Sequence, residues 1–79
     1  MLKLKNIKMV DGTISAEYDP ENSGLLGSVV VDAKGGEVVE SNVSEYDKNF
    51  PVYLDHAAAA LAKLAKLESV PEEKMIMWH

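Results

Sequence analysis

The sequence predicts a small α+β domain in which an antiparallel meander carries one helix on one face. Three observations predict it. Four short strand-like runs are separated by turn residues, the stretch 50–67 has helical periodicity, and a last apolar run follows it. Hairpin-linked strands lie beside each other in a sheet. We therefore expect the element order β-β-β-β-α-β and the sheet order 5-1-2-3-4, in one domain covering residues 1–79. The predicted strands cover residues 2–9, 13–18, 25–32, 37–40 and 74–78.

The first predicted strand changes its alternation part-way. Leu2 and Leu4 face one side of the strand, whereas Ile7 and Met9 have the opposite parity. The change occurs at Asn6 and predicts either a β-bulge or a strand that is covered on both sides. In the third predicted strand, residues 25, 29 and 31 (Leu, Val, Val) share one face, with a glycine between them.

The connections carry turn residues. Asp11-Gly12 lies between two strand-like runs, and Asp-Gly predicts a hairpin because both central residues need positive φ. Segment 19–24, DPENSG, is a loop by composition. It loosely matches the start of a calcium loop, but Val30 occupies the twelfth position, where a bidentate glutamate is required. We interpret the segment as a solvated turn.

The helix prediction depends on the spacing of apolar residues. They recur at i, i+3, i+4 and i+7 and so form one face. Pro51 suits the first turn, and Pro71 bounds the other end, so the helix should end near Leu67 or Glu68. Either Asn49 or Asp47 is expected to satisfy the free N–H groups at its start. The predicted core positions of the helix are Phe50, Leu54, Ala57, Ala58, Leu61, Leu64 and Ala65.

Composition narrows the function classes. The chain has no cysteine, which excludes disulfides and fits a reducing compartment. Its net charge of −5 disfavours contact with nucleic-acid phosphates. No apolar run has the length of a signal peptide or a membrane span. We therefore expect a cytoplasmic protein that binds neither nucleic acid nor membrane.

No residue pattern indicates catalysis. His56 has no carboxylate or histidine three or four positions away, which excludes a helical metal pair. We expect His56 to be solvent-facing. No nucleophile–base pair and no phosphate-binding glycine loop has supporting context. The sequence thus predicts a protein that is not an enzyme and needs no cofactor or metal.

The outer face of the helix is the main candidate contact surface. Small side chains there allow another helix to approach closely, although alanine also simply raises helix propensity. We predict an interaction domain that binds itself as a homodimer or binds another protein. The alternative is a small-molecule or peptide binder that uses the open sheet face, lined by Val30 and by the residues of changed parity, Ile7 and Met9. The predicted partner-binding residues on the helix are Val52, His56, Ala59, Ala60 and Lys63.

Two smaller features concern candidate contact residues and one turn. Trp78 and the four methionines are a second candidate contact group, or part of the core. Segment 29–39, VVVDAKGGEVV, resembles the V-x-V-D-x-x-T-G-E-V hairpin of PepSY-type domains, with Gly35 in place of the threonine. PepSY-type domains are often linked to peptidase inhibition or to extracellular modules. From this resemblance we take only the hairpin.

Overall fold

The computed structural model describes residues 1–49 and 52–77 and has five strands and one α-helix in those ranges. The sheet order is β4-β3-β2-β1-β5, and all neighbours are antiparallel. The helix packs on one face of this sheet. The predicted α+β meander, with the last strand beside the first, is confirmed. The elements are β1 (Leu2–Val10), β2 (Thr13–Pro20), β3 (Gly27–Asp32), β4 (Val38–Asn42), a 3₁₀ turn (Glu45–Asp47), α1 (Val52–Leu64) and β5 (Lys74–Ile76).

A tight hairpin joins β1 to β2. Asp11 and Gly12 have φ values of 45° and 81°, so both occupy the left-handed region that a type I′ turn needs. Val10 pairs with Thr13 directly across this turn. The hairpin predicted from Asp-Gly is therefore present and sets the register of the two strands.

A β-bulge at Asn6 explains the change of parity in β1. Asn6 has a φ of 52°, and the β1–β2 register shifts between Lys5 and Lys8. The extra residue returns Ile7 to the helix-covered face, where it is buried, and pairs Met9 with Ile14. The expectation that Ile7 and Met9 line the open sheet face is wrong, because the bulge reverses the parity after position 6.

The core lies between α1 and the middle of the sheet. The helix packs mainly over β2 and β3, and its inward side chains include Ala57, Leu61 and Leu64. Leu54 is half-buried and packs at the margin of the same cluster. The predicted helix core is thus confirmed for the described residues. The buried apolar residues from the sheet are Leu2, Leu4, Ile7, Ile14, Ala16, Tyr18, Val29 and Val31.

The helix ends earlier than its apolar pattern predicts. α1 ends at Leu64, and the chain then continues with i→i+3 hydrogen bonds that reach Leu67. Leu64 is the last fully inward side chain, whereas Leu67 is half exposed, so burial no longer favours continuing the rod. The predicted first residues, Phe50 and Pro51, lie outside the described residues.

The third strand begins two residues later than predicted. Leu25 is exposed and lies outside β3, so its predicted place beside Val29 on the inner face is wrong. Pairing with β2 stops at Tyr18 opposite Gly27. The next residues of β2 offer little to a longer β3, since Pro20 has no N–H to donate.

Both edge strands are largely exposed. β4 is exposed along its whole length, and β5 has only three residues. All four methionines keep at least 38% of their surface accessible, so the interpretation of the methionines as core is wrong. Trp78 lies outside the described residues.

Gly27 should be intolerant of any side chain. A Cβ at this position would lie 2.4 Å from the Tyr18 ring and 2.7 Å from the Ser44 nitrogen. We expect Gly27→Ala to lower the free energy of unfolding by about 1–3 kcal/mol, as in other overpacked cores. Urea denaturation measures it.

Gly35→Ala is the matched control for Gly27→Ala. A Cβ at Gly35 would meet the Glu37 Oε1 atom at 3.2 Å, and that flexible side chain can move away. We expect the control to change the free energy of unfolding by less than about 0.5 kcal/mol. Equal destabilisation by the two variants would contradict close packing at Gly27.

Candidate interaction site

A buried polar network joins β2 to the segment that precedes the helix. It consists of Tyr18, Ser44 and Asp47, each at most 2% exposed. The Tyr18 hydroxyl donates to Asp47 Oδ2 at 3.2 Å and accepts from the Ser44 backbone N–H at 2.9 Å. Throughout the described ranges, every fully buried side-chain nitrogen or oxygen has a hydrogen-bond partner. The network is therefore fully satisfied, which favours a single rigid arrangement.

Asp47 also caps the helix. Its Oδ1 atom accepts from the Tyr53 N–H at 3.1 Å, and its Oδ2 atom accepts from the Leu54 N–H at 2.8 Å. These donors belong to the first turn, which has no intrahelical acceptors and carries the positive end of the helix dipole. Of the two caps that the sequence left open, Asp47 makes these bonds. Burial raises the pKa of Tyr18, the Ser44 N–H opposes the shift, and the charge of Asp47 adds to it.

Ser44 holds the two flanking loops together. Its hydroxyl donates to the Leu25 carbonyl and accepts from the Tyr46 N–H. Through these bonds the segment before β3 and the segment after β4 meet at one buried side chain. The serine thus fixes the backbone of both loops at the same end of the sheet.

A second contact lies outside this network. Tyr53 donates its hydroxyl hydrogen to Glu21 Oε2 at 2.9 Å, and Glu21 also pairs with the amino group of Met1. The amino group, with help from Tyr53, lowers the pKa of Glu21, and the bond to Glu21 raises the pKa of Tyr53 to about 12. The rings of Tyr46 and Tyr53 meet edge to face, with centroids 5.5 Å apart.

Four large apolar side chains are exposed around Ser44. Leu25, Leu26, Val43 and Tyr46 keep 43–47% of their surface accessible, and we call them the apolar patch. Two of them hydrogen-bond Ser44 through their backbones, and Val43 precedes it. Sequence reasoning missed this patch. The available signal was a pair of leucines next to a polar loop, which we assigned to a strand instead.

The free edge of β4 adjoins the patch. β4 ends the sheet, has no further strand beside it within the described ranges, and leads directly into Val43. Its register with β3 shifts between Val30 and Val31. Segment 37–47 contains four acids and no base. Three of these acids, Glu37, Glu40 and Glu45, are exposed, so the surface here is negative.

The outer helix face differs from the expectation. Ala59 and Lys63 are exposed, but Val52, His56 and Ala60 are half-buried, and Ala60 packs against the core cluster. His56 is therefore not fully solvent-facing as predicted. The helix leans close enough to the sheet that residues flanking its inward stripe are also partly covered. The structure places the five predicted residues on one helix but presents only two of them fully to a partner.

The open sheet face carries a shallow depression of about 260 Å³. Val30 lines it, as expected, together with polar side chains such as Lys8, Ser15 and Glu17. Two other lysines of this face form ion pairs, Lys3 with Glu73 and Lys5 with Asp19. The face is thus mostly polar, because the bulge removed the apolar residues that were expected there.

The segment predicted as a loop, 19–24, contributes Asp19 and Pro20 to the end of β2, and the turn follows at 21–24. The Asp19 carboxylate accepts from the Gly24 N–H at 3.0 Å, and the Ser23 N–H bonds to the Pro20 carbonyl. Glu21 and Asn22 both have positive φ. Residues 1–49 and 52–77 contain no group of three or more metal-binding side chains placed to hold an ion. In the same ranges, no helix has the length and apolar character that crossing a membrane requires.

Comparison of the chain with protein-family models, curated proteins and solved structures found no match. The function of this chain must therefore be inferred from its own surfaces.

Removing the Tyr18 hydroxyl should destabilise the fold. Tyr18→Phe leaves the buried Ser44 N–H without its acceptor and takes one donor from Asp47. We expect a loss of about 1–3 kcal/mol in the free energy of unfolding, measured by urea denaturation. Tyr46→Phe, on an exposed ring, is the control and should cost less than about 0.5 kcal/mol. Similar losses for both variants would refute a structural role for the buried network.

Proposed function

We propose that the chain is a non-enzymatic, cytoplasmic protein-interaction domain that contacts its partner through the apolar patch. The observation that carries this proposal is the combination of exposure and rigidity around Ser44. Leu25 and Tyr46 are about half exposed, while their backbones are bonded to a buried serine. Exposed apolar side chains that cluster in this way are typical of binding surfaces.

The rigid backbone supports binding for an energetic reason. A partner that docks on a flexible loop must also order that loop, at a cost of about 1–2 kcal/mol per residue fixed. Ser44 and Asp47 already hold these loops in place. Burial of the patch would therefore contribute to affinity with little further ordering.

Affinity capture from the native host tests the proposal. We expect the wild-type chain to retain a stoichiometric partner, and Leu26→Ser or Val43→Ser to reduce its recovery several-fold, because each replaces apolar contact area by a hydroxyl. Met77→Ser is the matched control, since it removes an exposed apolar side chain beside β5, at the opposite edge of the sheet.

The capture experiment distinguishes binding through the apolar patch from binding at the opposite edge of the sheet. Recovery that depends on Leu26 and Val43 but not on Met77 supports the patch. Recovery that only Met77→Ser abolishes, or the absence of any retained protein, would contradict it. Thermal melts of each variant establish that the fold is intact.

Self-association through the outer face of α1 is the second form of this proposal. Ala59 and Lys63 are the exposed residues that favour it. We expect light scattering at micromolar concentration to give a mass near twice 8.6 kDa. Ala59→Glu should return the mass to that of the monomer, because a charge would be buried between helices. Val39→Glu, on β4, is the comparison variant and should leave the dimer intact.

A small-molecule binder that uses the open sheet face remains the second candidate function. The observation that favours it is the depression lined by Ser15, Ser28 and Val30. Its volume of about 260 Å³ lies just below the usual range for ligand pockets, about 300–1,000 Å³. Although most of its lining residues are polar, the atoms that they expose to the depression are mainly apolar, which suits a small molecule with an apolar surface.

A further inference from the structure

We propose that the free edge of β4 binds an extended, basic peptide segment of a partner protein, which adds to the sheet as a sixth strand. This inference deepens the proposed function and rests on it, since it names the chemistry of the partner and the edge that receives it. Strand addition is a common mode of peptide recognition, in which backbone hydrogen bonds give affinity and alternate side chains give specificity.

The geometry of β4 is that of a receiving edge. All five of its residues are exposed, and β3 pairs with one side of it only. β4 has no lysine or proline to block pairing with another chain, and its one irregularity is the register shift opposite Val30 and Val31. β5, at the other edge, has three residues and begins with Lys74, so it is the poorer template.

The charges near β4 define the occupant. Glu37, Glu40 and Glu45 are exposed, and segment 37–47 has no lysine or arginine. The Lys48 ammonium lies 3.8 Å from the Glu45 carboxylate. Glu40 lies opposite Val30 in the sheet, and Val30 carries no charge. Opposite charges directly across a ladder stabilise a strand pair, and like charges destabilise it. A segment with lysine or arginine is therefore the complementary one.

The side-chain pattern of the peptide follows from the two faces of β4. Glu40 lies on the open face, because its register partner Val30 does. Val38 pairs with Val31 and so shares the helix-covered face. An added strand that pairs with β4 as β3 does, with adjacent residues opposite Glu40 and Val38, would place a base beside Glu40 and an aliphatic side chain beside Val38. Its end would reach Val43 and the apolar patch.

A second copy of this chain fits the same edge less well. In antiparallel self-pairing of β4, Glu37 and Glu40 of the two copies would approach one another, and neither copy supplies a base from 37–47. Like charges that face each other across a ladder oppose pairing.

Synthetic peptides test the proposal with the full 79-residue chain. The probe is a fluorescein-labelled heptapeptide of alternating lysine and valine, and the acidic control replaces each lysine by glutamate. Two further versions carry N-methyl groups, one on every lysine and the other on every valine. Alternate amides of a strand point to opposite sides. One N-methylated peptide should therefore lose binding by about tenfold or more while the other retains it.

Protein variants test the charge. We expect Glu40→Lys to weaken binding of the lysine peptide about three- to tenfold, since it turns an attraction into a repulsion. Glu72→Lys makes the same charge change beside β1, where the Glu72 carbonyl bonds to Ile7, and should have little effect. Amide shifts should appear on β4 and β3.

The results separate this proposal from the broader one. Equal loss of binding with both N-methylated peptides, no loss with either, or equal effects of Glu40→Lys and Glu72→Lys would overturn strand addition. So would binding of the acidic peptide or dimerisation through β4. In each of these cases, the proposed interaction function still holds if capture of a partner depends on Leu26 and Val43. Loss of that dependence is the separate failure of the proposed function.

Discussion

The structure depends on the buried carboxylate of Asp47. It accepts hydrogen bonds from the Tyr18 hydroxyl and from two N–H groups at the start of α1. A buried charge is expensive unless donors satisfy it, and here three donors and the positive end of a helix dipole do so. One side chain thereby joins the sheet, the 3₁₀ turn and the helix.

This arrangement also determines where the surface is rigid. The Tyr18 ring packs against Gly27, where no side chain would fit. The Tyr18 hydroxyl accepts the Ser44 N–H and so fixes the position of Ser44. The exposed residues Leu25 and Tyr46 are then held by bonds to Ser44. The apolar patch is thus the outer surface of a buried network. Its proposed role in binding follows from that connection as much as from its exposure.

Local chemistry predicted several features correctly because each depends on neighbours in sequence. Asp11-Gly12 makes a hairpin wherever two strands flank it, since the positive φ values are intrinsic to the turn. The parity change at Asn6 indicated a bulge for a similar reason. Its consequence was missed: a bulge reverses which side chains face the core, so Ile7 left the open face on which a ligand site was expected.

The incorrect or undecided predictions concern residues whose contacts are made by segments far away in sequence. Leu25 continues the apolar pattern of β3, yet its carbonyl bonds to Ser44, nineteen residues away. The sequence left the helix cap open between Asn49 and Asp47. The Tyr18 hydroxyl, which lies far away in sequence, donates to Asp47 and so favours its burial. Half-burial of His56 and Ala60 likewise reflects how closely α1 approaches the sheet. These outcomes depend on contacts that periodicity does not encode.

The amino-acid sequence by itself determined the order of elements, the first hairpin and the inward face of the helix, because local propensity and apolar spacing govern them. Only the tertiary structure decided which residues form a surface. Burial is shared among segments far apart in the chain, so the patch around Ser44 and the acidic edge of β4 exist only once the sheet and the helix have packed together.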